Sequence, residues 1–262
     1  MTDAIAIDVW SDIACPWCYI GKRNLEKAIA SRGEGVPDVR VTFHSFELAP
    51  ETPVDFDGGE AEYLAAHKGV DAASAQQMLD RVSGVAADAG LEYRFDLLRH
   101  TNTVKAHQLL HLAKERGLQH EMSERLMAAY FTEGRHLGRA DELVALAAEV
   151  GLDADEVRHA LEHEVYLEAV RADQAQASAY GITGVPFFVI DGAYGVSGAQ
   201  PPEAFGQILK QIASERTAEV VVDRSENPRV AVRRSDAARS GAGSPGRRVR
   251  WWGGSGARFH PV

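Results

Sequence analysis

The chain has 262 residues, 45% hydrophobic and 25% charged, which is the composition of a soluble globular protein with one large core or a domain carrying an insertion. No uninterrupted apolar run approaches the roughly 20 residues that span a bilayer, which excludes a membrane-spanning helix. Residues 1–215 carry 34 Asp+Glu against 18 Lys+Arg, so the body should repel nucleic acid and anionic membrane; only residues 216–262, with 10 Arg against 4 acids, have the charge to attract them.

In chain order, Met1-Thr2-Asp3-Ala4 leads straight into an apolar run without the basic and long apolar regions of a secretory signal, which predicts a cytoplasmic protein. Residues 5–11 read as a first strand and 16–31 as a first helix, closed by Gly33 and Gly35. Residues 39–46 alternate with β-branched and aromatic side chains and read as a second strand, completing a βαβ unit. A loop with two prolines and two glycines follows over 47–59. Almost every segment from 60 to 180 reads as helix, at 60–68, 73–89, 102–116, 119–131, 140–150, 153–163 and 164–180. Gly90, Gly117, Gly134 and Gly151 supply stops, and Asp153 an N-cap. Leu109, Leu110, Leu112, Leu126, Met127, Leu143 and Leu146 are the core candidates of this block.

Strand character returns at 185–190, followed by a two-residue Asp191-Gly192 hairpin turn and a partner strand over 193–197. Pro201-Pro202 opens a last amphipathic helix with Phe205, Ile208, Leu209 and Ile212 on one face. The Arg-, Gly- and Ser-rich residues 216–262 predict a disordered extension, in which Val220-Val221-Val222 has the character of a short strand. The expected organisation is a discontinuous sheet domain over 1–58 and 181–215, an all-helical insertion over 59–180, and a tail.

The only two cysteines stand together as Cys15-Pro16-Trp17-Cys18, where the first strand turns into the first helix. The first sulfur lies over unpaired backbone N–H groups and the positive end of the helix dipole, which favour thiolate, the nucleophile of disulfide exchange. Cys18, one helical turn on, is spaced to close a disulfide with Cys15 or to resolve a mixed one. Cys15 is expected nearer solvent, with Cys18 more buried. Pro16 suits the first turn, where its missing N–H costs nothing. A structural zinc site would need four ligands, and no further cysteine exists. His107 and His111 would share a helix face but lie some ninety residues away, so no metal is expected.

The segments Asp12-Ile13-Ala14-Cys15-Pro16-Trp17-Cys18-Tyr19-Ile20-Gly21-Lys22, Phe46-Glu47-Leu48, Asn102-Thr103 with Ala106-His107, Gly184-Val185-Pro186-Phe187-Phe188 and Ser197-Gly198-Ala199-Gln200 carry a resemblance. Over about residues 4–214 the chain resembles the DsbA-like thioredoxin-fold oxidoreductases, in their cytoplasmic FrnE-like branch. The resemblance implies an α/β protein, a thioredoxin fold with a large all-helical insertion. It implies Cys15 as the attacking and Cys18 as the resolving cysteine of a protein dithiol–disulfide oxidoreductase. Pro186 matches the cis-proline that faces the dithiol, and Val185 would present its backbone to an extended substrate segment. Reductase or isomerase action suits a reducing cytoplasm.

No bound cofactor is implied, with glutathione a candidate co-substrate and protein or small thiols and disulfides the partners. Asp12 is placed to tune the thiolate or relay a proton, or simply to pair with the helix dipole. Trp17 is placed to shape the substrate surface or to pack as an ordinary aromatic. Asn102 and His107 belong to a matched segment that would line the groove, although His107 also reads as a satisfied helix histidine. The second cysteine pair that some FrnE-like relatives carry near the C-terminus is missing here. Two rival readings are a glutathione-dependent isomerase or transferase of the 2-hydroxychromene-2-carboxylate isomerase or kappa type, and a polypeptide-binding chaperone. Nothing in the sequence points to an oligomeric state.

Overall fold

The computed structural model describes residues 4–226 and 250–251. Strand β1 (Ile5–Ser11) runs into helix α1 (Pro16–Ala30), and β2 (Val39–Ser45) returns parallel to β1 in the register Ile5 with Val39 through Ser11 with Ser45. After a loop over 46–59 the helical block comprises α2 (Glu60–Lys68), α3 (Ala72–Asp88), α4 (Val104–Glu115), α5 (Gln119–Phe131), α6 (Ala140–Glu149), α7 (Ala154–Glu162) and α8 (Leu167–Ala179). β3 (Phe187–Ile190) then pairs antiparallel with β1, and β4 (Tyr194–Ser197) antiparallel with β3, before the long helix α9 (Pro202–Glu226). A two-residue β5 (Arg250–Trp251) lies parallel beside β4, so the order across the sheet is β2-β1-β3-β4-β5.

The two-residue period of the strands sorts their side chains onto two faces. Ile5, Ile7 and Val9 of β1 and Phe188 and Ile190 of β3 pack with Leu25 and Ala28 of α1 and with Phe205, Ile208, Leu209 and Ile212 of α9, the face read from the sequence. Trp10, Phe187 and Val189 point the other way and meet Ala177 of α8 and Ile182. The third and largest cluster is built mainly from the helical block and includes Leu109, Leu112, Leu126, Met127, Leu143 and Leu146. It also takes in Ile13, Cys15, Cys18, Tyr19 and Ile20, so the dithiol shares a core with the helices.

Three sequence expectations change. The Asp191-Gly192 connection is a three-residue loop, because pairing resumes at Ile190 with Tyr194 and Ala193 donates its N–H to the Ile190 carbonyl at 3.1 Å. Asp191 and Gly192 both take positive φ, 56° and 64°, as an Asp-Gly turn should. Val220-Val221-Val222 is helical within α9, since no Gly or Pro interrupts the chain between Gly206 and Pro228. The expected tail therefore begins inside a helix that crosses residue 215. Of the disorder expected over 216–262, residues 227–249 and 252–262 lie outside the described residues.

Candidate active site

The turn between β1 and α1 is set by backbone bonds. Cys15 N–H donates to the Asp12 carbonyl at 3.2 Å, and Cys18 N–H to the Cys15 carbonyl at 3.0 Å. Cys15 is the N-cap, with extended backbone angles, and Pro16 opens the helix where its missing N–H leaves nothing unpaired. Both cysteines are free thiols. The Cys15 thiol donates to the Val185 carbonyl at 3.7 Å, across 170 residues of sequence. The Val185–Pro186 peptide is cis, as the resemblance implied, and Gly198 N–H holds the Pro186 carbonyl from the far side at 2.8 Å.

Cys15 is 4% and Cys18 2% exposed, whereas Trp17 between them is 37% exposed. Cys18 is the more buried of the two, as expected, but the difference is small and Cys15 is itself buried, because Ile13, Ala14, Tyr93, Val185 and Ala199 belong to the cluster that encloses the turn. The Cys18 thiol is pushed well above its usual range, first by burial and then by its neighbour Cys15, against the Ser11 hydroxyl and the Asp12 N–H, which favour the thiolate.

The Asp12 carboxylate is buried and turns to the protein rather than to the sulfurs. It accepts from Ala14 N–H at 3.2 Å and Leu48 N–H at 2.8 Å, and stands 3.4 Å from His107 Nε2. Burial pushes Asp12 up, but the His107 ring and the two N–H groups outweigh it and hold the carboxyl below its ordinary value. His107 is fully buried, and neither ring nitrogen makes a well-aligned hydrogen bond. Asn102 fastens the loop to α4: its Nδ2 donates to the Pro50 carbonyl at 2.9 Å and its Oδ1 accepts from Val104 N–H at 2.9 Å. The structure therefore brings Cys15, Cys18, Pro16, Val185 and Pro186 together, ties Asp12 to His107 beneath the turn, and leaves Asn102 as a fastener of the neighbouring loop.

Three further residues shape the site: Tyr93, which the sequence reading passes over, and Gly21 and Lys22, which stand there only within the matched segment of α1. Tyr93 donates its hydroxyl to the Pro16 carbonyl at 2.7 Å. Gly21 lies so close to Pro186 that a Cβ would stand 3.0 Å from its Cγ. Lys22, buried in α1, is paired with Glu26 at 2.6 Å and with Glu124 of α5, which also accepts from Tyr19 at 2.7 Å and from Arg23 at 2.6 Å. The Leu91, Tyr93, Phe95 alternation carried a signal for Tyr93, since it marks an extended, half-buried segment between two helices. Among the described residues no group of three or more His, Cys, Asp or Glu side chains is arranged to hold a metal ion, and no helix is long and apolar enough to cross a membrane.

A Cys-x-x-Cys pair at a helix N-terminus, facing a cis-proline loop on a mixed sheet with a helical insertion, defines a thioredoxin-fold protein of the DsbA-like kind. The DSBA-like thioredoxin domain family matches residues 6–210, and the chain belongs to that family of thiol–disulfide oxidoreductases. It is 34% identical over 210 residues to the uncharacterized protein YwbO of Bacillus subtilis, covering 78% of this chain and 96% of that one. Among solved structures it is similar to the probable DsbA oxidoreductase SCO1869 of Streptomyces coelicolor, with 44% identity, a TM-score of 0.74, and coverage of 79% and 89%. It shares its fold with the cytosolic disulfide reductase DsbM of Pseudomonas aeruginosa, at 19% identity and a TM-score of 0.55 over 79% of this chain and 97% of that one.

Proposed function

We propose that the chain exchanges thiols and disulfides with protein substrates in the reductase or isomerase direction, with Cys15 attacking and Cys18 resolving. The observation that carries this reading is the approach of the Cys15 thiol to the Val185 carbonyl at the start of α1, with Cys18 buried one turn below. In the reducing direction the Cys15 thiolate attacks one sulfur of a substrate disulfide, whose other sulfur leaves as thiolate and takes a proton. The Cys18 sulfur then gives up its proton and attacks Cys15 in the mixed disulfide, releasing the second substrate thiol and closing Cys15–Cys18. Two electrons pass from the dithiol to the substrate, and two equivalents of a small thiol such as glutathione, oxidised to their disulfide, restore the dithiol.

The causes of Cys18's raised ionisation bear on this order of events. Once Cys15 is bonded to a substrate sulfur it carries no charge, so one of the causes that keep the proton on Cys18 is gone, while the Ser11 hydroxyl and Asp12 N–H still favour the thiolate. Trp17, exposed beside the sulfurs, and the Val185–Pro186 backbone form the surface offered to an extended substrate segment. Asp12 and His107 tune the turn from beneath, and Asn102 keeps the adjoining loop in place. The chemistry asks for no bound cofactor or metal. A single cysteine pair in the whole chain suits a reducing cytoplasm, where such pairs are reactive rather than structural.

The test is insulin reduction with glutathione as electron donor. Cys15→Ser should abolish turnover, and Cys18→Ser should accumulate mixed disulfides that can be trapped and identified. Glutathione-dependent turnover of a small substrate that survives Cys18→Ser would place the chain with the isomerases and transferases instead. Aggregation suppression unchanged in the double serine variant, with no reductase activity in the parent, would make it a chaperone.

A further inference from the structure

Tyr93 sits in the extended link between α3 and α4, 77 residues from the peptide it touches. Its ring stacks on Phe131 at 4.6 Å and meets Phe95 edge-on at 5.6 Å, while Arg94 N–H donates to the Phe131 carbonyl at 2.7 Å. That packing needs a ring and no hydroxyl. The hydroxyl nonetheless makes one hydrogen bond among the described residues, to the Pro16 carbonyl at 2.7 Å. As the first carbonyl inside α1, Pro16 C=O has the N–H four residues on as its regular partner, so the Tyr93 bond is additional.

The other end of the same amide is Trp17 N–H. An N-cap side chain accepts from the second or third N–H of its helix, here Trp17 or Cys18. Cys18 N–H is already spent on the Cys15 carbonyl at 3.0 Å, and no backbone acceptor among the described residues takes Trp17 N–H. In the dithiol the Cys15 sulfur is itself a donor, to Val185, and makes no cap bond. On ionisation it loses that proton and becomes an acceptor for the Cys18 thiol beside it, and Trp17 N–H is the backbone donor left open for it.

We propose that Tyr93 is a positioning residue for the exchange reaction, its hydroxyl polarising the Pro16–Trp17 amide so that Trp17 N–H binds the Cys15 thiolate more strongly. The inference rests on Cys15 being the attacking thiol. A hydrogen bond at one end of an amide strengthens the donor at the other by about 10–30%. Applied to a bond with a charged acceptor, this corresponds to about one and a half to fourfold in the thiolate's stability. The phenol stays a donor under exchange conditions, because burial first, and charge on Cys15, Tyr19 and Cys18 after it, push its ionisation far up.

The experiment compares the full-length parent with Tyr93→Phe in two readouts. One is the rate of iodoacetamide reaction at Cys15 at pH 7. The other is the equilibrium of the dithiol with glutathione disulfide, in which Cys15–Cys18 forms and two glutathione thiols are released. With both measured at pH 7, Tyr93→Phe should slow alkylation and shift the equilibrium toward the protein disulfide, the two factors multiplying to about one and a half to fourfold, since the first reads the thiol fraction of Cys15 and the second the thiolate fraction that loses stabilisation. A purely structural role would loosen the turn and speed alkylation, and that result overturns the proposal. So does a variant with both quantities unchanged while the parent exchanges normally; the proposed function then stands without Tyr93. A parent whose Cys15 does not exchange with glutathione removes both. Should Tyr93→Phe fail to fold, 3-fluorotyrosine placed at position 93 decides: its stronger donor must move both quantities the opposite way.

Discussion

Gly21→Ala tests whether α1 and the Pro186 loop are in the close contact that the reaction requires. Gly21 lies in the middle of α1, where alanine alone would add about 1 kcal/mol through helix propensity. The new Cβ, however, would stand 3.0 Å from Pro186 Cγ, 3.3 Å from Phe188 Cζ and 3.5 Å from Ala199 Cα. Optimal carbon contacts fall at about 3.5–4.0 Å, so the first two are compressed. Phe188 is fully buried and meets Phe205 edge-on at 4.8 Å, and the Pro186 ring is closed onto its own backbone, so neither yields by turning a flexible side chain. Overpacking of this kind costs about 1–3 kcal/mol, which outweighs the propensity gain and leaves a net loss of about 1 kcal/mol. The relief available is movement of the Pro186 loop away from α1, which lengthens the 3.7 Å approach of Val185 to Cys15. Urea unfolding should show the midpoint falling at constant slope, and insulin reduction should fall with it. A variant stabilised by the full propensity gain, with turnover intact, would refute the packing argument.

Burial pushes His44 down, but hydrogen bonds to Asp173 at 2.7 Å and Asp8 at 3.0 Å outweigh it and raise its pKa above 6.5. Its contribution to stability is therefore complete below about pH 6.5 and lost as pH rises through the folded value; chemical denaturation from pH 6 to 9 should show a decline that His44→Asn reduces. Asp173 also accepts from Ser45 N–H at 2.8 Å and lies 3.1 Å from His111, so that variant leaves the carboxylate with two partners. Asp12 has the opposite sign: its folded pKa is depressed, so its contribution is present above about pH 4 and lost as pH falls toward the folded value. Asp12→Asn should cost about 1–3 kcal/mol at neutral pH and flatten the acid limb of the stability curve. Lys22→Met should cost about 1–2 kcal/mol in urea unfolding, because Glu26 keeps Arg23 and His120, and Glu124 keeps Arg23 and Tyr19, in a half-buried cluster that loses its one fully buried cation.

What the sequence revealed and what it hid divide along local and tertiary lines. The helices of the insertion are bounded by their own glycines and caps, and Asp153 does accept from Glu156 N–H at 2.8 Å as its position before an apolar stretch predicts. The Cys15, Val185 and Pro186 contact was legible only through the resemblance, because no local rule joins positions 170 residues apart. His107 and His111 were legible as one helix face, yet they serve different carboxylates, Asp12 and Asp173, which arrive from the turn after β1 and from α8. Partner choice of this kind depends on which elements pack across a helix, and spacing carries no trace of it. Tyr93 was hidden differently. Its link between helices has no regular structure, so a reading organised by helices and strands passes over a residue whose alternation with Leu91 and Phe95 was visible.

Helix α1 belongs to two cores at once, and that division explains how an insertion can govern the chemistry of a sheet-borne motif. Its second half sends Leu25 and Ala28 into the sheet core with Phe188 and Phe205, while its first half sends Cys18, Tyr19 and Ile20 into the core of the helical block. The sheet thus fixes where the helix starts, and the helical block fixes what surrounds the sulfurs there. Three contacts make this specific: Tyr93 on the Pro16 carbonyl, His107 beside Asp12, and Glu124 on Tyr19, Lys22 and Arg23. Each comes from the insertion and ends on the turn or the first two turns of α1. A thioredoxin-like sheet with the same Cys-Pro-Trp-Cys segment but another cap would keep the dithiol geometry and lose this surrounding. On the proposed reading, substitutions in the insertion should therefore change the ease of exchange at the cysteines more readily than substitutions on the α9 side of the sheet, which meet α1 from Gly21 onward, past both cysteines.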